Sequence, residues 1–99
     1  MRVTIHEHPG GDLVTLKIEG KLAGPHVPEL HRAWQELAPS LGRRKLLVDL
    51  RGVMHVDGPG KNLLSSIHAA ARVEFLADTP LTKFFAEQAQ QGSRGGVKI

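Results

Sequence analysis

The sequence predicts an α/β fold, a mixed sheet of about four strands with helices packed against it. Three observations carry this expectation. Two alternating apolar–polar segments, Arg2 to His8 and Leu13 to Glu19, flank the turn signal Pro9-Gly10-Gly11-Asp12 and read as a β-hairpin. Beyond the hairpin, apolar runs of strand length alternate with stripes of helical period. The stretch Lys45 to Asn62, KLLVDLRGVMHVDGPGKN, reads as a strand, a tight Gly/Pro-rich loop and a helix start. Together they predict the order β-β-α-β-α-β-α, with right-handed crossovers between parallel strands.

Each element has its own signal. In the hairpin, Val3 and Ile5, then Val14, Leu16 and Ile18, face one way; Thr4, His6, His8, Thr15, Lys17 and Glu19 face the other. Gly24 to Pro28 breaks the strand pattern. Val27, Leu30, Trp34, Leu37 and Leu41 then recur at helical spacing, with Pro28 in the first turn. Pro39 predicts a helix end near Ala38. Lys45 to Leu50 is almost continuously apolar and predicts a central strand covered on both faces. Gly60 to Ala71 places Leu63, Leu64, Ile67 and Ala71 on one helical face, and Val73 to Ala77 reads as a short strand. Thr79-Pro80 is a helix start, with Thr79 as N-cap and Pro80 at the first position. Leu81, Phe84, Phe85 and Gln88 form the stripe of this last helix, which is expected to stop near Gly92.

Composition bounds the function. The 99 residues make one domain, predicted over residues 1–91, with residues 92–99 as a flexible tail. There is no cysteine, hence no disulfide framework or thiolate zinc site. No apolar run is long enough to span a membrane, and the N-terminus lacks the apolar segment of a signal peptide, so a cytoplasmic location without membrane insertion is expected. The net charge is +3, but Arg94 and Lys98 lie in the Gly/Ser-rich end. Arg43-Arg44-Lys45 is the one basic cluster and reads as a solvated turn. With only Trp34, Phe75, Phe84 and Phe85 as aromatics, nucleic-acid binding is not expected.

The loop after the central strand is the candidate site, because open α/β sheets bind at the carboxyl ends of their strands. Its residues, Asp57, Gly58, Pro59 and Gly60, hold one carboxylate and no hydroxyl, thiol or imidazole. Asp57 is placed to cap the following helix. Lys61 is the odd residue, since a cation at a helix N-terminus is mildly unfavourable; pointing to water it does nothing further, and facing an acidic partner it supplies fixed positive charge. Gly58-Pro59-Gly60-Lys61 is not a phosphate loop: His55 stands where that motif needs glycine, and Asn62 where it needs Ser or Thr. His6 and His8 share a strand face without an acidic or thiolate partner, so no metal site is assigned. Ser65 and Ser66 lie inside a predicted helix, and Asp49 near His55 lacks a nucleophile or oxyanion-hole signature. No catalytic residue and no cofactor follow.

The order, the length and the phrase Leu46-Leu47-Val48-Asp49-Leu50-Arg51-Gly52-Val53, followed by Val56-Asp57 and Gly60, resemble a STAS domain over residues 2–91. Val14 to Leu22 also resembles that family's second strand and the turn after it. The family includes the bacterial anti-sigma-factor antagonists and the cytoplasmic domains of sulfate transporters. It commonly carries Asp-Ser-Ser-Gly or Asp-Ser-Thr-Gly at this loop, and in the antagonists a partner kinase phosphorylates the second hydroxyl residue. Asp57 matches the Asp and Gly60 the Gly; Gly58 and Pro59 replace the two hydroxyl residues. Lys61 stands where an apolar residue is usual, and His55 where a bulky apolar one is common.

The resemblance therefore implies a bacterial signalling module in transcription regulation that works by protein–protein interaction. Its partner would be an anti-sigma factor or related switch kinase, docking on Asp57, Gly58, Pro59, Gly60 and Lys61, without phosphorylation at Pro59. Two alternatives stay open. One is a soluble STAS-like subunit of a lipid-transporting ABC complex, with transporter subunits as partners. The other is a small anion or nucleotide sensor. Monomer and homodimer are both open, since strand 2–8 reads as a sheet edge.

Overall fold

The computed structural model describes residues 1–94. The elements are β1 (Arg2–Glu7), β2 (Leu13–Leu22), α1 (His26–Leu41), β3 (Lys45–Val56), α2 (Gly58–Ala70), β4 (Arg72–Leu76) and α3 (Pro80–Arg94), in the order the sequence predicts. One four-stranded sheet runs β1-β2-β3-β4. β1 is antiparallel to β2; β2, β3 and β4 are mutually parallel. Both strand–helix–strand passages step in the same direction, so right-handed crossovers set α1 and α2 on one face.

Alternation in the strands builds the core on that face. Val14, Leu16 and Ile18 of β2 and Leu46, Val48 and Leu50 of β3 are fully buried. They pack beneath Leu30 and Trp34 of α1, Leu64 and Ile67 of α2, and Phe85 and Ala89 of α3. Each such aliphatic side chain contributes about 1.5–3 kcal/mol by leaving water. The opposite face carries Thr4, His6, Lys17 and Glu74, all exposed. β3 is thus central, but helices cover one of its faces and not both. Same-direction crossovers cannot place a helix on the second face, and Leu47 is left half-buried there.

The structure corrects several boundaries. α1 passes through Pro39 to Leu41. The buried stripe Leu30, Trp34, Leu37, Leu41 ends two residues beyond the proline. Seating Leu41 in the core outweighs one missing backbone donor near the helix end. The carbonyls there find other donors: Arg44 Nη2 donates to Ser40 O (2.6 Å), and Arg44 Nε to Leu41 O (3.1 Å). β3 does not stop at Leu50 but runs to Val56. Its far half pairs with the end of β2, Gly52 opposite Glu19 and Val56 opposite Leu22, after register shifts near Glu19 and Gly20. The stretch from Arg51 to Val56, between the expected strand end and the Asp57–Gly60 loop, is therefore strand. α2 begins at Gly58, ahead of the expected Gly60.

The stripe of α3 is also rotated. Its buried face is Thr82, Phe85, Ala86 and Ala89, whereas Leu81 and Phe84 remain about half exposed. The Thr79 cap forms as expected, with Thr82 N–H donating to Thr79 Oγ1 (3.1 Å). α3 continues to Arg94, past the expected end at Gly92. The rest of the expected tail, 95–99, lies outside the described residues. No described helix is long and apolar enough to cross a membrane.

Candidate functional site

The carboxyl ends of β2 and β3 and the N-terminus of α2 meet at Asp57. Its backbone is extended, as an N-cap requires. Gly60 N–H donates to Asp57 Oδ1 and Gly24 N–H donates to Asp57 Oδ2, both at 2.8 Å. Asp57 N–H in turn donates to Leu22 O (3.2 Å). One carboxylate thus closes α2 and ties it to the turn that leads from β2 into α1. These two backbone donors, Gly24 first, hold the Asp57 carboxyl below its ordinary value. Gly24 can present its N–H from this turn because its φ is +55°, a conformation glycine adopts without strain.

Gly60 is buried, and the reason is steric. A Cβ placed there would sit 2.5 Å from Leu22 O and 3.0 Å from Leu22 Cγ. The helix start approaches the end of β2 too closely for any side chain. Gly58 has nothing within 4 Å of such an atom and is exposed, as is Pro59. Of the five sequence-predicted residues, Asp57 and Gly60 therefore shape the loop from beneath, while Gly58 and Pro59 form its outer surface. Lys61 lies in the first turn of α2, half-buried, and its ammonium has no hydrogen bond or ion pair among the described residues.

Beside the loop, α2 and α3 enclose a groove of about 270 Å³. Val56, Phe84 and Phe85 give it an apolar lining; Lys61, Gln88 and the Asp57-Gly58 turn give it a polar rim. Sequence reasoning gathered the loop but not the groove, since it placed Phe84 on a buried stripe. No sequence signal separated the two readings, because Leu81, Phe84 and Phe85 stand at the spacing of a single helical stripe.

The remaining candidates resolve into local structure. Asp49, on the outer sheet face, is buried beneath Arg51, which donates from Nε (3.1 Å) and Nη2 (3.0 Å) as well as from its backbone N–H (3.0 Å). The Arg51 side chain is the main reason the Asp49 carboxyl titrates below its ordinary value. His8 Nε2 lies 2.7 Å from Thr15 Oγ1, and the His6 and His8 rings meet edge to face at 4.6 Å. Among the described residues no group of three or more metal-ligating side chains comes together. Ser66 Oγ donates to Asn62 O (3.0 Å), and Ser65 Oγ is buried without a partner. In the basic turn, Arg44 pairs with Glu7 and Lys45 with Glu74, each at 3.1 Å. No protein-family model matches the chain, and no curated protein matches it.

Proposed function

We propose that the chain is a cytoplasmic, non-enzymatic regulatory module that works by binding another protein, as an anti-sigma-factor antagonist of the STAS type does, without control by phosphorylation at its loop. One observation carries the reading. The exposed Gly58-Pro59 turn is held rigid by the Asp57 bonds to Gly24 and Gly60, beside an unpaired Lys61 and an apolar groove, with no nucleophile in the loop. A preorganised turn of this kind lowers the ordering cost of docking. The Pro59 side chain has no oxygen to accept a phosphoryl group, so phosphorylation at that position cannot switch the surface off.

Affinity capture from the native host at modest salt, with wild type and Lys61→Glu as bait, tests the proposal. An ATPase of the anti-sigma or switch-kinase type should be retained by wild type and reduced by Lys61→Glu. Incubation with that ATPase and ATP should leave residues 57–61 unphosphorylated, and mass spectrometry of the bait shows whether Ser65, Ser66 or Thr79 is modified instead. Recovery of a permease and its ATPase subunit would replace this reading with the transport one. A melting-temperature rise with millimolar nucleotide would replace it with the sensor one.

A further inference from the structure

We infer that the groove between α2 and α3 is the docking slot for a peptide segment that presents a carboxylate next to a bulky apolar side chain. This inference rests on the protein-binding reading and names the chemistry of the partner. Three features converge. The first is Lys61. It is half-buried, unpaired among the described residues, and sits in the first turn of α2, where the helix dipole disfavours a cation. The neighbouring Asp57 carboxylate makes no ion pair with it; each Asp57 oxygen instead accepts a backbone N–H. An incoming carboxylate would supply the missing charge, in a position partly shielded from water.

The second feature is the lining. Val56 and Phe85 form an apolar floor, and Phe84 stands beside them 52% exposed. Leu81 lies one helical turn before Phe84 and is 48% exposed. These two side chains leave an exposed apolar surface on α3. The third feature is that one groove holds both, the Lys61 cation and the apolar side chains of Val56, Phe84 and Phe85. An acidic residue beside an apolar one matches both at once. A neutral or basic segment would leave Lys61 unpaired or repelled, which excludes the wrong partners as much as it favours the right one.

A displayed library of random heptapeptides, panned on the whole immobilised protein at modest salt, tests this. Wild type should enrich peptides with Asp or Glu beside Leu, Phe or Ile. Lys61→Glu should lose that pool by tenfold or more and enrich Lys or Arg beside the apolar residue. Phe84→Ser should lose enrichment of either kind. Phe84 and Lys61 are both accessible, so each variant should melt within a few degrees of wild type, and the melts confirm that lost binding is not lost fold. Enrichment without an acidic–apolar signature, or an unchanged pool on Phe84→Ser, overturns the inference. So does concentration-dependent dimerisation abolished by Phe84→Ser, which would seat a second copy in the groove. Its failure is distinguishable from failure of the regulatory reading. A switch-type ATPase captured equally by wild type, Lys61→Glu and Phe84→Ser removes the groove and keeps that reading; an acidic–apolar pool with no such ATPase does the reverse.

Discussion

The two ends of the parallel strands treat charge in opposite ways. At the amino ends, Arg44 and Lys45 face carboxylates from neighbouring elements, Glu7 of β1 and Glu74 of β4. At the carboxyl ends, the carboxylate of Asp57 is bonded to two backbone amides, and the cation beside it, Lys61, has no counterion among the described residues. Both ends are loop–element junctions of the same sheet. The difference is that the amino end pairs two of its cations with acids from neighbouring strands, while the carboxyl end commits Asp57 to backbone geometry and leaves Lys61 beside an apolar groove. A surface whose charge is left available, next to apolar side chains the core does not use, is the better candidate for binding.

Breaking the geometry of the carboxyl end should have the largest effect. Gly60→Ala puts a methyl against Leu22 O, a backbone atom that cannot swing away. We expect a loss of about 1–3 kcal/mol in urea unfolding. Gly58→Ala, two residues earlier in open space, should change stability by less than about 0.5 kcal/mol. Equal effects at the two positions would refute the close approach of α2 to β2.

The Asp57 node predicts a pH dependence. Its carboxyl is held low in the folded chain by the Gly24 and Gly60 amides. The stability it contributes is therefore complete above the ordinary carboxylate value of 3.8 and is lost as pH falls through the lowered folded value. Asp57→Asn keeps the shape but turns an NH₂ toward one of the two donors. The variant should melt below wild type at pH 7, and the gap should narrow as pH drops below about 4. A gap that stays constant down to pH 2.5 would show that the cap acts without its charge.

Much of this end was legible in the sequence. Asp57 was identified because helix capping needs a particular residue type at a fixed place, and Gly60 as a turn glycine matching the STAS-type loop; its close approach to Leu22 came only with the structure. Thr79 was legible for the same reason as Asp57. The link from Asp57 to Gly24 was not, because the two residues are distant in sequence and only the β2–β3 register brings them together. The extension of β3 through Arg51–Val56 was hidden likewise. Gly52, Met54 and His55 have weak strand signals, and their pairing with the end of β2 decides the matter. Pro39 misled because a local rule was set against Leu41, whose value depends on a core that sequence spacing alone does not weigh. Phe84 misled because one-residue rotations of a helix do not change its apolar count.

Lys61 offers a sharper contrast, since stability and binding should move in opposite directions. Replacing the cation with Glu places a negative charge in the first turn of α2, where the helix dipole favours it by about 0.3–1 kcal/mol. Lys61→Glu should therefore melt slightly higher than wild type while losing partner capture. A variant that is both less stable and binding-defective would mean that Lys61 is a structural residue with a partner inside the fold.

The smallest effect belongs to the amino end. Lys45 and Glu74 lie on neighbouring strands with side chains 49% and 62% exposed. Water screens such a pair, and holding two long side chains together costs rotamer freedom, so exposed pairs typically contribute about 0–1 kcal/mol. Lys45 also faces Arg72 in the parallel register, and that like-charge neighbour subtracts from any gain. Glu74→Gln should lower stability by a few tenths of a kcal/mol at low salt, on the scale of an exposed pair. At 1 M salt, where the screening length falls to about 3 Å, the difference should vanish. Partner capture at the opposite end should not change. If Glu74→Gln instead weakens capture as much as Lys61→Glu does, the paired end is part of the binding surface, and the groove beside Lys61 no longer distinguishes the two ends.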